Sequence, residues 1–116
     1  MSVKVEKIII PTYPEPAREE LPMFAEHRVH QRTSGNPYPQ KIVLEVNREE
    51  KIDCEYTAVV LENDYIKLVI LPELGGRIYS AYDKRTGYDF FYKNHVIKPA
   101  LIGCLGSWIS GGMEFN

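Results

Sequence analysis

The stretch "LPELGGRIYSAYDKRTGYDFFYKN", Leu71 to Asn94, decides the fold. Pro72 ends a strand, because it has no N–H to donate to a ladder. Gly75 and Gly76 then allow the backbone to turn with positive φ or to approach something closely. From Arg77 to Tyr82 the pattern alternates, with Ile78, Ser80 and Tyr82 expected on one side and Arg77, Tyr79 and Ala81 on the other. Asp83-Lys84-Arg85-Thr86-Gly87 reads as a short hairpin loop with Gly87 in the left-handed region. Tyr88 to Tyr92 is expected to return antiparallel, with aromatics pairing across the strands.

The same reading extends upstream. Tyr65 to Leu71 and Cys54 to Leu61 are β-rich and joined by Glu62-Asn63-Asp64, a tight turn that predicts Leu61 beside Tyr65. Lys41 to Val46 alternates as a further strand, and the β-branched run Val3 to Ile10, stopped by Pro11, suits a sheet edge. Between these two strands lie Pro11, Pro14, Pro16 and Pro22, then the loop His30 to Gln40. Prolines at that density exclude a continuous helix or strand, though Ala17 to Glu20 has room for one helical turn begun by Pro16. Residues 98–116 thread Gly103, Gly106, Gly111 and Gly112 among large apolar side chains, a composition for loop-like backbone. The fold class is therefore mainly β: an antiparallel sheet or partial β-sandwich (41–116) with a proline-rich N-terminal arm (1–40).

Composition sets the limits. A chain of 116 residues is one domain by length and buries about two thirds of its unfolded surface. Lys and Arg number 14 against 16 Asp and Glu, so the basic stripe of a nucleic-acid binder is missing and no such partner is expected. Apolar runs such as Ala58 to Leu61 are far short of the ~20 residues that span a bilayer, so no membrane partner is expected either. The N-terminus lacks the regions of a signal peptide, and Cys54 and Cys104 form no metal-ligand spacing, which points to the cytoplasm with reduced thiols. No cofactor is implied.

Three stretches, "RVHQRTSGNPYPQKIV", "YTAVVLENDYIKLVILPELGGRIYSAYDKRTGYDFFY" and "IKPALIGCLGSWISGGMEFN", carry a resemblance. They resemble the N-terminal part of an uncharacterised bacterial domain-of-unknown-function family whose longer members are often followed by tetratricopeptide repeats. That family is in turn similar to the galactose-mutarotase-like supersandwich of aldose epimerases and several glycoside hydrolases and lyases. The Pro, Gly-Gly, Arg-Ile and D-x-x-T-G hairpin marks the fold there and not the chemistry. The resemblance implies that residues 1–116 are an N-terminal fragment, inactive alone, of a carbohydrate-related protein. It also implies open edges, so a homo-oligomer is expected, closed over an apolar face that includes some of Ile66, Leu68, Ile70, Ile78 and Tyr82.

Against that background the chemistry-bearing residues are few. Glu114, beside Phe115 and Asn116 in "MEFN", is the candidate catalytic carboxylate or hydroxyl grip; its other reading is an ion-paired strand residue. Arg77, Trp108 and Asn116 are the candidate substrate-binding residues. An arginine fork suits sugar hydroxyls, yet Arg77 equally suits a structural pairing with Asp83 or Glu73. Trp108 and Tyr79 offer aromatic faces to a pyranose, or simply core. His27 and His30 have i, i+3 spacing without a third ligand, and His95 is remote, so no metal site is expected. Cys54 and Cys104 read as small buried hydrophobes, and Lys84-Arg85 as a solvated turn. Two functions follow as expectations: a carbohydrate-binding or carbohydrate-active domain, or a non-catalytic interaction module.

Overall fold

The computed structural model describes residues 1–17, 19–20, 41–42, 46–101 and 108–115. The strands are β1 (Ser2–Thr12), β2 (Glu19–Glu20), β3 (Lys41–Ile42), β4 (Ile52–Glu62), β5 (Ile66–Leu71), β6 (Arg77–Asp83) and β7 (Tyr88–Asp89). Five of them form one open sheet in the order β1-β4-β5-β6-β7, and β2 pairs with β3. The chain is mainly β, and the β2–β3, β4–β5, β5–β6 and β6–β7 ladders are antiparallel.

Two compact units are formed. The first comprises Met1–Thr12, Asp53–Ile97 and Ser110–Asn116; the second comprises Tyr13–Ile52 and Lys98–Ile109. In the first, Tyr56, Ala58 and Val60 of β4 are buried at every second position, joined by Ile10, Leu71, Tyr79 and Ile97. The Tyr56 hydroxyl shares a 2.9 Å hydrogen bond with that of Thr12, so the polar tips inside this core are partnered. Ile97 reaches it by donating its N–H to the Pro11 carbonyl at 2.9 Å. β1 is an edge strand as expected, but it runs through Pro11 to Thr12, because at an edge the missing N–H costs no ladder bond.

In the second unit, Glu19 and Glu20 pair with Ile42 and Lys41, so the helical turn expected over Ala17 to Glu20 gives way to strand pairing. The expected strand Lys41 to Val46 is seen at Lys41–Ile42, and its residues 43–45 lie outside the described residues. Lys98 stands 4.9 Å above the Tyr13 ring.

The hairpins differ from the sequence reading in register. Leu61 faces Leu68 and not Tyr65. Asn63 explains this: its Oδ1 accepts the N–H groups of both Tyr65 and Ile66 at 2.8 Å, while its own N–H donates to the Ile66 carbonyl at 3.0 Å. The Asn63 side chain thus closes the turn together with its own backbone N–H. A bulge between β5 and β6 pairs Val69 with Ser80 but Ile70 with Ile78, leaving Tyr79 as the extra residue. Ser80 and Tyr82 therefore join the side of Arg77, and Ala81 joins that of Ile78, so the expected division swaps from Ser80 onward and Tyr82 leaves the expected apolar face of Leu68, Ile70 and Ile78.

Gly75 and Gly76 hold φ of 72° and 68°, as the turn after Pro72 demands. Glu73 in that turn accepts the Thr57 N–H at 2.9 Å, substituting for the ladder bond that ends with β5. The return strand is shorter than Tyr88 to Tyr92. The Asp89 carboxylate takes the N–H groups of Ala81 and Phe91 at 3.0 and 3.4 Å, together with the Ser80 hydroxyl, and curls the chain out of the ladder after one further bond from Phe90 to Ala81.

Candidate functional site

The C-terminal stretch is stitched to the sheet by a glycine turn. Gly111 and Gly112 have φ of 92° and 68°, and the Gly112 N–H donates to the Tyr92 carbonyl at 2.9 Å. A Cβ at Gly112 would stand 2.2 Å from the Ile78 oxygen, so only glycine fits this crossing. Beyond it, Met113 and Ile78 exchange both backbone hydrogen bonds at 2.9 Å, adding one bridge to the part of β6 that β7 does not cover. The Asn94 amide donates to the Ser110 hydroxyl at 3.1 Å and secures the other side of the turn.

This docking brings Glu114 to Arg77. One guanidinium nitrogen, Nη2, donates to Glu114 Oε2 at 2.8 Å, and Nη1 donates to the Gly111 carbonyl. The Arg77 side chain is 7% exposed and that of Glu114 37%. Arg77 Nε is buried with no acceptor among the described residues. The result is a buried cation, held through two of its nitrogens, beside a carboxylate that still reaches solvent. Met113 and Phe115 on either side of Glu114 are exposed, so the acid stands between apolar surfaces.

Arg77 thus takes neither partner expected for it. Asp83 is held by Arg85, through Nε at 3.2 Å and Nη2 at 3.1 Å, and Glu73 by the Thr57 backbone. Arg85 keeps the Asp83 carboxyl below the usual carboxylate range, chiefly by these hydrogen bonds, and the Thr57 contact does the same for Glu73. The Lys84-Arg85 turn is accordingly more than solvated. Lys84 bridges Glu62 at 2.6 Å and donates to the Asn63 carbonyl at 2.7 Å, tying the two hairpin tips together, and Arg85 lies 5.7 Å over the Tyr65 ring.

Of the other expected site residues, Trp108 belongs to the second unit, where it exchanges both backbone bonds with Ala100 at 2.8 Å and keeps an exposed side chain. Asn116, His27, His30 and Cys104 lie outside the described residues. Tyr79 is buried, so it is no open stacking platform; the Lys93 ammonium stands 5.3 Å over its ring. Burial, and then the Asp89 charge, push the Tyr79 hydroxyl above its usual pKa. Cys54 is half-buried and free. Among the described residues no three His, Cys, Asp or Glu side chains form a metal-holding group, and no helix is long and apolar enough to cross a membrane, which says nothing of a β-barrel. The Lys93–Tyr79 contact had no signal in the sequence, since the two residues meet only through the path of the chain after β7.

An open antiparallel sheet to which a glycine turn docks the C-terminal stretch, with a buried arginine paired to a solvent-reaching glutamate, defines a β-domain. The chain belongs to the family described as "Domain of unknown function (DUF5107)", whose profile matches residues 34–116. Its fold is similar to that of a TPR-domain containing protein from Parabacteroides distasonis, with a TM-score of 0.67 and 22% identity, over 96% of this chain and 18% of that one. The chain therefore spans less than a fifth of the length of that protein, and the likeness speaks for fold alone.

Proposed function

We propose that this chain is part of a carbohydrate-binding or carbohydrate-active domain of the galactose-mutarotase-like kind. The observation that carries the reading is the Arg77–Glu114 pair. A carboxylate accepts hydrogen bonds from two neighbouring sugar hydroxyls, and the guanidinium below it fixes its plane before any ligand arrives. The exposed Phe115 ring next in the chain offers an apolar face for pyranose C–H groups. Asn116 is a further proposed contact, and Trp108, exposed on the second unit, is proposed separately as a saccharide-stacking residue there. Glycosidic acid/base chemistry takes two carboxylates at a set separation, and this pair supplies one. Binding without turnover is thus expected of the 116-residue chain. A composition without a disulfide framework suits the reducing cytoplasm as its proposed location.

Native gels cast with a panel of soluble polysaccharides test this directly. Retardation in at least one gel, abolished in Glu114→Gln, is expected; unchanged mobility across the panel overturns the reading.

A second reading, a protein-interaction module, is favoured by one observation. Lys7 contacts Glu55 and Thr57, which sets the odd-numbered residues of β1 on the side of Val59 and Leu61. Register continues that side through Leu68 and Ile70 to Ile78, half-buried at best, while Val3, Val5 and Ile9 are 61%, 70% and 68% exposed. An apolar sheet face ending in an exposed edge strand is suited to assembly.

A further inference from the structure

The opposite side of the same sheet carries a cavity of about 420 Å³, within the size range of small-molecule pockets. Ile8 and Ile10 of β1 and Val69 of β5 contribute apolar lining, and Tyr79 lies beside them. The charged lining is uneven: Lys67 and Lys93 bring two ammonium groups, Glu6 brings one carboxylate, and His95 adds an imidazole. Neither lysine has an ion-pair partner among the described residues. The Glu62 carboxylate opposite Lys67 in the ladder is engaged by Lys84 at 2.6 Å. Asp89, the acid that Lys93 influences, is taken by the Ser80 hydroxyl and the Ala81 and Phe91 N–H groups. Lys93 rests instead on the Tyr79 ring, 5.3 Å from its centre. An ammonium parked on an aromatic face is held in place by a weak attraction and keeps its hydrogens for a ligand.

We propose that this cavity binds a small polyhydroxylated anion of monosaccharide size, a sugar acid or a sugar phosphate. Each lining group has a task in that assignment. The anionic group sits between the two lysines, the C–H surface of the ring lies on the isoleucine and valine floor, and Glu6 accepts hydroxyl hydrogens. A plain aliphatic acid leaves Glu6 as an unrelieved repulsion, and a neutral sugar leaves both ammonium groups unanswered. The site shares no residue with the Arg77–Glu114 pair, and its assignment stands apart from that one.

The test is an ¹⁵N NMR titration of the 116-residue chain, following the backbone amides of Val69 and Tyr79, with glucuronate, glucose 6-phosphate, glucose, inorganic phosphate and octanoate as probes. Saturable shifts with glucuronate or glucose 6-phosphate, at least about tenfold tighter than with the other three, are expected, a factor equal to one charged hydrogen bond. Which of the two anions binds more tightly tells a carboxylate site from a phosphate site. The Lys67→Gln and Lys93→Gln double variant should weaken that binding about tenfold or more, while Lys51→Gln leaves it unchanged. Absence of saturable shifts with both sugar anions, equal binding of glucose, phosphate or octanoate, or undiminished binding in a double variant that keeps the wild-type spectrum overturns the assignment.

Discussion

At Gly112, one missing methyl group decides whether the C-terminal stretch can cross β6. Alanine there meets the Ile78 oxygen at 2.2 Å and in addition takes a positive φ, whereas a Cβ at Gly75 meets nothing within 4 Å and suffers only the φ penalty. Gly112→Ala is therefore expected to destabilise by about 2 kcal/mol or more and Gly75→Ala by about 1 kcal/mol, read from denaturant midpoints; equal losses would mean the crossing is not tight. Gly76→Val should cost about 2 kcal/mol, since a β-branched residue tolerates the left-handed region worst. Arg77 behaves differently. Replacing it with Met removes a buried guanidinium whose Nε has no acceptor among the described residues, and Glu114, exposed enough to be hydrated, bears the loss of its partner cheaply. The two effects oppose, and a stability change within about 1 kcal/mol is expected. A loss of 3 kcal/mol or more would make the pair a structural strut and not a site.

Among the elements, Asp89 sets the length of β7 and links stability to pH. Burial raises its pKa, but the Ser80 hydroxyl, the Ala81 and Phe91 N–H groups and the Lys93 charge outweigh burial and hold it below the usual carboxylate range. Glu62, through Lys84, and Glu73 and Asp83 are lowered too. A depressed carboxyl contributes stability above its unfolded pKa and loses it as pH falls through the folded value. The denaturation midpoint is thus expected to fall below about pH 4, and less steeply in Asp89→Asn. Tyr56 and Tyr79, both raised chiefly by burial, work the other way and weaken the fold above about pH 10. A midpoint flat from pH 5 to pH 2 contradicts the acid arm. The alternating strands, the edge position of β1 and the glycine turns were legible in the sequence because period and positive φ are local properties. The β5–β6 bulge, the Asn63 turn and the early end of β7 were not. Each depends on a side chain accepting backbone N–H groups or on a register shift, which a period-2 pattern does not encode. Glu114 and Arg77 were legible as residue types, but their pairing needed the glycine crossing.

For the whole molecule, the apolar side from Val5 to Ile78 argues for self-association. Exposing a Leu- or Ile-sized side chain forfeits about 1.5–3 kcal/mol, and a two-fold pairing of these faces is the simplest closed way to recover it. Light scattering at micromolar concentration should give a dimer mass, reduced to that of a monomer by Val5→Glu; a monomer in the unaltered chain contradicts the pairing. The central claim, however, is that Arg77 and Glu114 form a saccharide site and not merely an ion pair. Calorimetric titration of the 116-residue chain with neutral mono- and disaccharides tests it most directly, with Glu114→Gln and Arg77→Met in parallel. At least one saccharide is expected to bind saturably, and about tenfold or more weaker in both variants, whose denaturation midpoints stay near that of the unaltered chain. Saccharide binding undiminished in both variants, or no binding at millimolar concentration by a folded chain, would contradict the claim.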